Sequence, residues 1–219
     1  MSFINRLRGS VLAAAISTCG LAQAAIPVDL SERVSQLAAS QQPELEKVFR
    51  QLHANPELAF DLHDTAALVA KRLKKLGYQV HTGIAQTGVA AVLKNGDGPV
   101  IMFRSDMDAL PVKEESGLPY ASQKQVELDD GSTSYVSHAC GHDSHTAWLL
   151  GIARVMMETR DAWSGTLVLI GQPAEELIAG AQAMVDDGLY DKVPEPSLLI
   201  SAHVYPVWPA GTVAAPTGL

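Results

Sequence analysis

An α/β architecture, a largely parallel central sheet flanked by helices, follows from three features of this 219-residue chain. Short apolar runs bounded by Gly, Pro and Asn alternate with segments of helical period. Those runs are apolar throughout rather than alternating, as strands covered on both faces are. Ionisable residues recur just past their ends, the edge at which open α/β sheets bind ligands. With 47% hydrophobic and 18% charged residues the composition is that of a globular domain.

The first element is a leader. Arg6 and Arg8 precede an apolar run from Val11 to Ile16, and Ala22-Gln23-Ala24 places small residues at a cleavage spacing. Residues 1–25 read as a secretory signal peptide, cut after Ala24 or Ala25, with an apolar run too short to span a membrane. A lipoprotein reading through Cys19 is weaker, because Thr18 stands where a smaller residue is usual. The mature chain, 26–219, is expected to be periplasmic or secreted, with no transmembrane span. Arg6 and Arg8 are the leader's only charges, so its loss takes the formal net charge from −8 to −10. An acidic chain without a basic stripe does not suit nucleic acid. Cleavage also leaves Cys140 as the one cysteine, with no internal disulfide open to it.

From Ser31 to His53 the apolar residues Val34, Leu37, Leu45, Val48 and Leu52 recur at helical spacing, and Pro56 closes the segment. Asp64 is the expected N-cap of a second helix through Val69 and Leu73, with Gly77 as its stop. Val89 to Leu93 and Val100 to Phe103 read as strands, and Glu114 to Ser137 as a polar loop or irregular hairpin. Thr146 to Met157 is a helix, Thr166 to Ile170 a strand, Ala181 to Val185 a helix closed by Gly188, and Ser197 to Ser201 the last strand. Asp106 and Asp108 follow one strand, Glu175 and Glu176 another, and His203 the last.

The densest chemistry lies in His138-Ala139-Cys140-Gly141-His142-Asp143-Ser144-His145. Imidazoles and a carboxylate are costly to bury without partners, and a metal is such a partner. In extended backbone Cys140 and His142 would point to one side and grip one ion. Glu175 and Glu176, if extended, would point apart, Glu176 as ligand and Glu175 as general base toward a water made acidic by the metal. Each feature has a plainer reading: the Glu pair as a helix cap near Ala179, His203 as a hydrogen-bonded structural residue, Asp106 and Asp108 as a turn. For His53, His63 and His81 the plainer reading holds. His138 and His145 stand between, holding ligands or substrate or merely opening the helix. Asp108 is expected to orient a metal-bound imidazole. A thiol hydrolase using Cys140 is a further alternative, though it leaves the Glu pair and His203 without a role.

Phe103-Arg104-Ser105-Asp106-Met107-Asp108-Ala109-Leu110-Pro111, His138-Ala139-Cys140-Gly141-His142-Asp143, Gln172-Pro173-Ala174-Glu175-Glu176 and Ala202-His203-Val204-Tyr205-Pro206 together resemble the M20 metallopeptidase family. The resemblance runs from about Leu45 to Gly218. It is strongest to the amidohydrolases that cleave hippurate, N-acyl amino acids and auxin–amino acid conjugates, whose opening motif is matched by Leu52-His53-Ala54-Asn55-Pro56-Glu57-Leu58. Ser137 departs from that branch, which has methionine there.

The resemblance implies a zinc-exopeptidase-like catalytic domain that hydrolyses the amide bond of N-acyl amino acids or short peptides. It implies two divalent ions, zinc or manganese, with Cys140, His142, Glu176 and His203 as ligands, Glu175 as base and Asp108 in support. It also implies that Leu219 falls where the family's inserted lid or dimerisation domain begins. Residues 26–219 would then be the N-terminal portion of the catalytic domain, without the lid, through which relatives dimerise, and without a C-terminal segment carrying a final histidine ligand. A remnant that binds metal or ligand without turnover is the alternative reading.

Overall fold

The computed structural model describes residues 28–215 apart from Asp129, so the expected leader lies outside the described residues. Helix α1 (Val28–Ala54) turns Val48 and Leu52 inward, and α2 (His63–Lys75) buries Val69, Ala70 and Leu73. Asp64 is not the cap of α2 but lies in its first turn. The carboxylate of Glu57 instead accepts the N–H groups of Asp64 (3.1 Å) and Thr65 (2.8 Å), satisfying donors that a helix start leaves free. The α2 helix ends where expected, at Gly77 (φ 90°).

Strands β1 (Gln79–Ile84), β2 (Gly88–Asn95) and β3 (Val100–Asp106) come next. The polar stretch holds a small hairpin of β4 (Gln125–Glu127) and β5 (Thr133–Tyr135). Helix α3 (His142–Glu158), β6 (Gly165–Gln172), α4 (Gly180–Asp186), α5 (Leu189–Lys192) and β7 (Leu198–Ser201) complete the order. The five-stranded sheet is ordered β1-β2-β6-β3-β7. Pairs β6–β3 and β3–β7 are parallel, while β2 is antiparallel to both its neighbours, so four strands run one way and β2 alone is reversed.

The pleat divides the core in two. Val89, Ala91, Leu93, Phe103, Leu167 and Leu169 face α1, α2 and α3, whereas Ala90, Met102, Val168 and Ile170 face Met184, Leu189 and Val193 of the α4–α5 side. Cover on both faces explains why Val89–Leu93 of β2 and Leu167–Ile170 of β6 are apolar without alternation. Strand β7 departs from that expectation. It is an edge strand whose Leu198, Leu199 and Ile200 are 52%, 52% and 45% exposed. Among the described residues no helix is long and apolar enough to cross a membrane.

Candidate metal centre

Parallel register brings three chain exits to one rim. Asp106 sits beside Gln172, and Arg104 beside Ser201, so the segments 106–108, 173–178 and 202–204 leave the sheet side by side. The start of α3 lies across them. That helix begins at His142, one turn earlier than the apolar periodicity suggests, because its first turn is polar and faces the site.

Cys140 and His142 are not joined by extended backbone. Gly141 between them has φ 84°, and a Cβ built there would lie 2.5 Å from Cγ2 of Val204, so both the turn and the packing require glycine. His142 is fully buried. Its Nδ1 donates to the carbonyl oxygen of Asp108 at 2.7 Å, which leaves Nε2 as the nitrogen turned toward the site. Around Nε2 stand Asp106 Oδ2, Glu175 Oε2 and Glu176 Oε1, each at 3.8 Å.

The Glu pair also departs from the extended geometry expected. Ala174 (φ 49°) and Ile178 (φ 54°) are left-handed, and the N–H groups of Ala179 and Gly180 both reach the Ala174 carbonyl. The segment folds into a turn that sends both carboxylates toward His142 rather than apart. Gly180 is obligatory, since a Cβ there would lie 1.6 Å from the Pro173 oxygen. Asp108 locks the turn: its carboxylate accepts the N–H of Glu175 (3.0 Å) and of Glu176 (3.1 Å). Asp108 therefore orients His142 mainly through its main-chain oxygen, its carboxylate lying 3.6 Å from Nδ1.

His203 completes the group. Its Nδ1 donates to the Val204 carbonyl at 2.5 Å, and its Nε2 lies 3.5 Å from Sγ of Cys140. Cys140, His142 and His203 form one set of atoms spaced for a shared ion, and His142, Glu175 and Glu176 another; His142 belongs to both. In a third such set His142 meets Asp106 and His145, but those two are engaged with each other. His145 Nδ1 donates to Asp106 Oδ1 (2.6 Å), and its Nε2 accepts the Val204 N–H (2.9 Å).

The electrostatics are those of a site short of positive charge. Burial and the neighbouring Glu176 and Glu175 push the Cys140 thiol up to about 11. Burial, with Glu175 and Asp108 adding to it, raises Glu176 above the usual carboxylate range against the pull of His142. Burial lowers His142, but the Asp108 and Asp106 carboxylates outweigh it and raise it. Asp106 goes the other way: burial is overcome by the bond from His145 and by His142 and Arg104, and its carboxyl falls to about 2. Among the described residues, buried His142 Nε2 and Glu176 Oε1 have no hydrogen-bond partner. Two orphaned ligand atoms, a thiol and an imidazole nitrogen within coordination reach fit divalent metal, which supplies the missing charge and the missing partner.

Several contributors were not legible as such. His145 lies three residues after His142, so both occupy one face of α3, the only sequence signal for its inward position. Asp106 is 2% exposed and is an anchor for Arg104 and His145, not a turn residue. His53 does hold a structural place, bridging the carboxylates of Asp143 and Glu114, which raise its pKa. His138 is 7% exposed, with both ring nitrogens unpartnered among the described residues; burial lowers it to about 4, so it is neutral.

A mostly parallel sheet carrying thiol, imidazole and paired carboxylates at its rim is an α/β domain with a candidate metal site. Residues 102–218 match the family described as peptidase family M20/M25/M40, and the chain belongs to it. It is 47% identical to hippurate hydrolase of Campylobacter jejuni over 152 residues, 69% of this chain and 37% of that protein. It is 39% identical to the N-acetyl-L-cysteine deacetylase of Bacillus subtilis, over 88% of this chain and 42% of the relative. The solved structure of the Bacillus subtilis YXEP protein, a dinuclear metal binding peptidase from the M20 family, superposes with a TM-score of 0.67 at 33% identity, over 80% of this chain and 45% of that one. The chain thus spans less than half the length of these relatives.

Proposed function

We propose that this chain carries the chemistry of a metal-dependent amidohydrolase acting on N-acyl amino acids or small peptides. The observation that supports it best is the meeting of Cys140, His142, Glu175, Glu176 and His203 at one rim, with His142 Nε2 and Glu176 Oε1 unpartnered. Cys140, His142, Glu176 and His203 would hold two divalent ions, zinc or manganese, a mixed donor set that suits zinc without excluding the other. When bound, such ions polarise the scissile carbonyl and make a water acidic.

The chain's own groups do the rest. Glu175 is the general base. Its side chain is 37% exposed against 20% for Glu176, so it faces the solvent from which water and substrate arrive. It takes a proton from the attacking water, whose oxygen bonds to the carbonyl carbon. It then returns that proton to the departing nitrogen as the C–N bond breaks. Asp108 supports both steps by fixing the main chain of the base and of its neighbour.

Hippurate and N-acetyl amino acids are the substrates to try, given the relatives' names. Glu175→Gln is expected to keep its metal and lose turnover by about 10²–10⁴-fold. Unchanged turnover in that variant refutes the assignment of the base. Metal retained without turnover in the parent chain favours the binding-only alternative. A Cys140 nucleophile is disfavoured, since a thiol pushed up to about 11 is opposite to what such a mechanism needs. We further propose export, with residues 1–25 as the cleaved leader; N-terminal sequencing of the secreted chain checks it.

A further inference from the structure

We infer that Val204 is a latch that holds His203 in place, with His145 and Gly141 of the α3 start as its two receivers. The inference rests on reading His203 as a metal ligand.

His203 needs such a device. It is exposed and follows a four-residue edge strand, every residue of which is exposed, so sheet packing does little to immobilise it. A ligand must nonetheless be held to about half an ångström. Two independent contacts meet at the next residue. The Val204 main-chain N–H donates to Nε2 of His145 at 2.9 Å. The Val204 side chain occupies the notch left by the missing Cβ of Gly141, 2.5 Å from where that atom would be.

His145 is built for this acceptor role. At 1% exposure it is buried, and Asp106 takes its Nδ1–H at 2.6 Å, which fixes the tautomer that leaves Nε2 able to accept. Arg104 in turn donates to Asp106 Oδ2 at 2.8 Å. The series Arg104, Asp106, His145, Val204 thus runs from the interior of β3 to the ligand-bearing loop. With both nitrogens engaged, His145 is a positioning residue and not itself a ligand, although its ring lies 4.4 Å from that of His203.

The test measures cobalt(II) and zinc(II) affinity of the full chain, by visible absorption and competition titration. His145→Leu, which cannot accept the Val204 N–H, is expected to weaken binding about 10–100-fold, while His145→Gln, which can, recovers most of it. In a His203→Ala background the His145→Leu change is expected to cost nothing further, the mark of two residues acting as a unit. Val204→Gly, which leaves α3 untouched, is expected to weaken binding too and serves if His145→Leu fails to fold. Wild-type affinity in His145→Leu or Val204→Gly with His203→Ala impaired overturns the latch and leaves the ligand reading standing. Additive losses in the double variant also overturn it. Wild-type affinity in His203→Ala removes the ligand reading and the latch with it.

Discussion

Replacing His53 with leucine severs the link between α1, the loop before β4 and the first turn of α3. His53 Nδ1 lies 2.6 Å from Asp143 Oδ2 and its Nε2 lies 2.9 Å from Glu114 Oε1. A ring that donates from both nitrogens is an imidazolium. The side chains are 13%, 2% and 9% exposed for His53, Asp143 and Glu114, so the variant strands two carboxylates in a poorly solvated place. Breaking a buried pair costs about 3–5 kcal/mol. Here the lower end applies, because Glu114 keeps the Ser122 N–H and Asp143 keeps the Ser144 N–H. With a urea m-value of about 2 kcal/mol/M, a loss of about 3 kcal/mol moves the midpoint down by about 1.5 M. The pH dependence carries the sign. Burial lowers His53, but the bonds to Glu114 and Asp143 outweigh it and raise it above its ordinary value. Stability from its protonation is complete below that ordinary value, about 6.5, and is lost as pH climbs through the raised one. The gap between parent and variant should therefore be widest near pH 6, just below the ordinary value of about 6.5, and narrow as pH rises above it. Equal midpoints at pH 6, or a gap that does not change with pH, would refute the imidazolium bridge.

Three other perturbations probe the rim. Asp108→Asn keeps the shape but offers one oxygen to two N–H donors; it should lower turnover at least tenfold and stability by about 1.5–3 kcal/mol, read by kinetics and urea unfolding. Gly180→Ala places a methyl on the Pro173 oxygen and must open the Glu turn, so metal affinity, followed by competition titration, should fall with stability. Adding zinc(II) or manganese(II) to chelator-treated protein should raise the thermal midpoint, by about 2.7 kcal/mol of stabilisation at a hundred times Kd; an unmoved midpoint counts against the site.

What sequence by itself determined is local. Helical spacing marked α1 and α3, continuous apolar runs marked β2, β3 and β6, and the positions just past three strands marked Asp108, the Glu pair and His203. These signals are legible because a side chain's face and burial follow from its neighbours a few residues away. Tertiary structure decided the rest. It placed β6 between β2 and β3, left β7 at an exposed edge, and turned Glu175 and Glu176 to the same side. It gave Asp108 its hold on a turn 67 residues later, His145 its bond to Val204 and His53 its two carboxylates. Each of these joins groups that only the packing of separate elements brings within 3 Å or so, and no periodicity along the chain encodes a partner that far away.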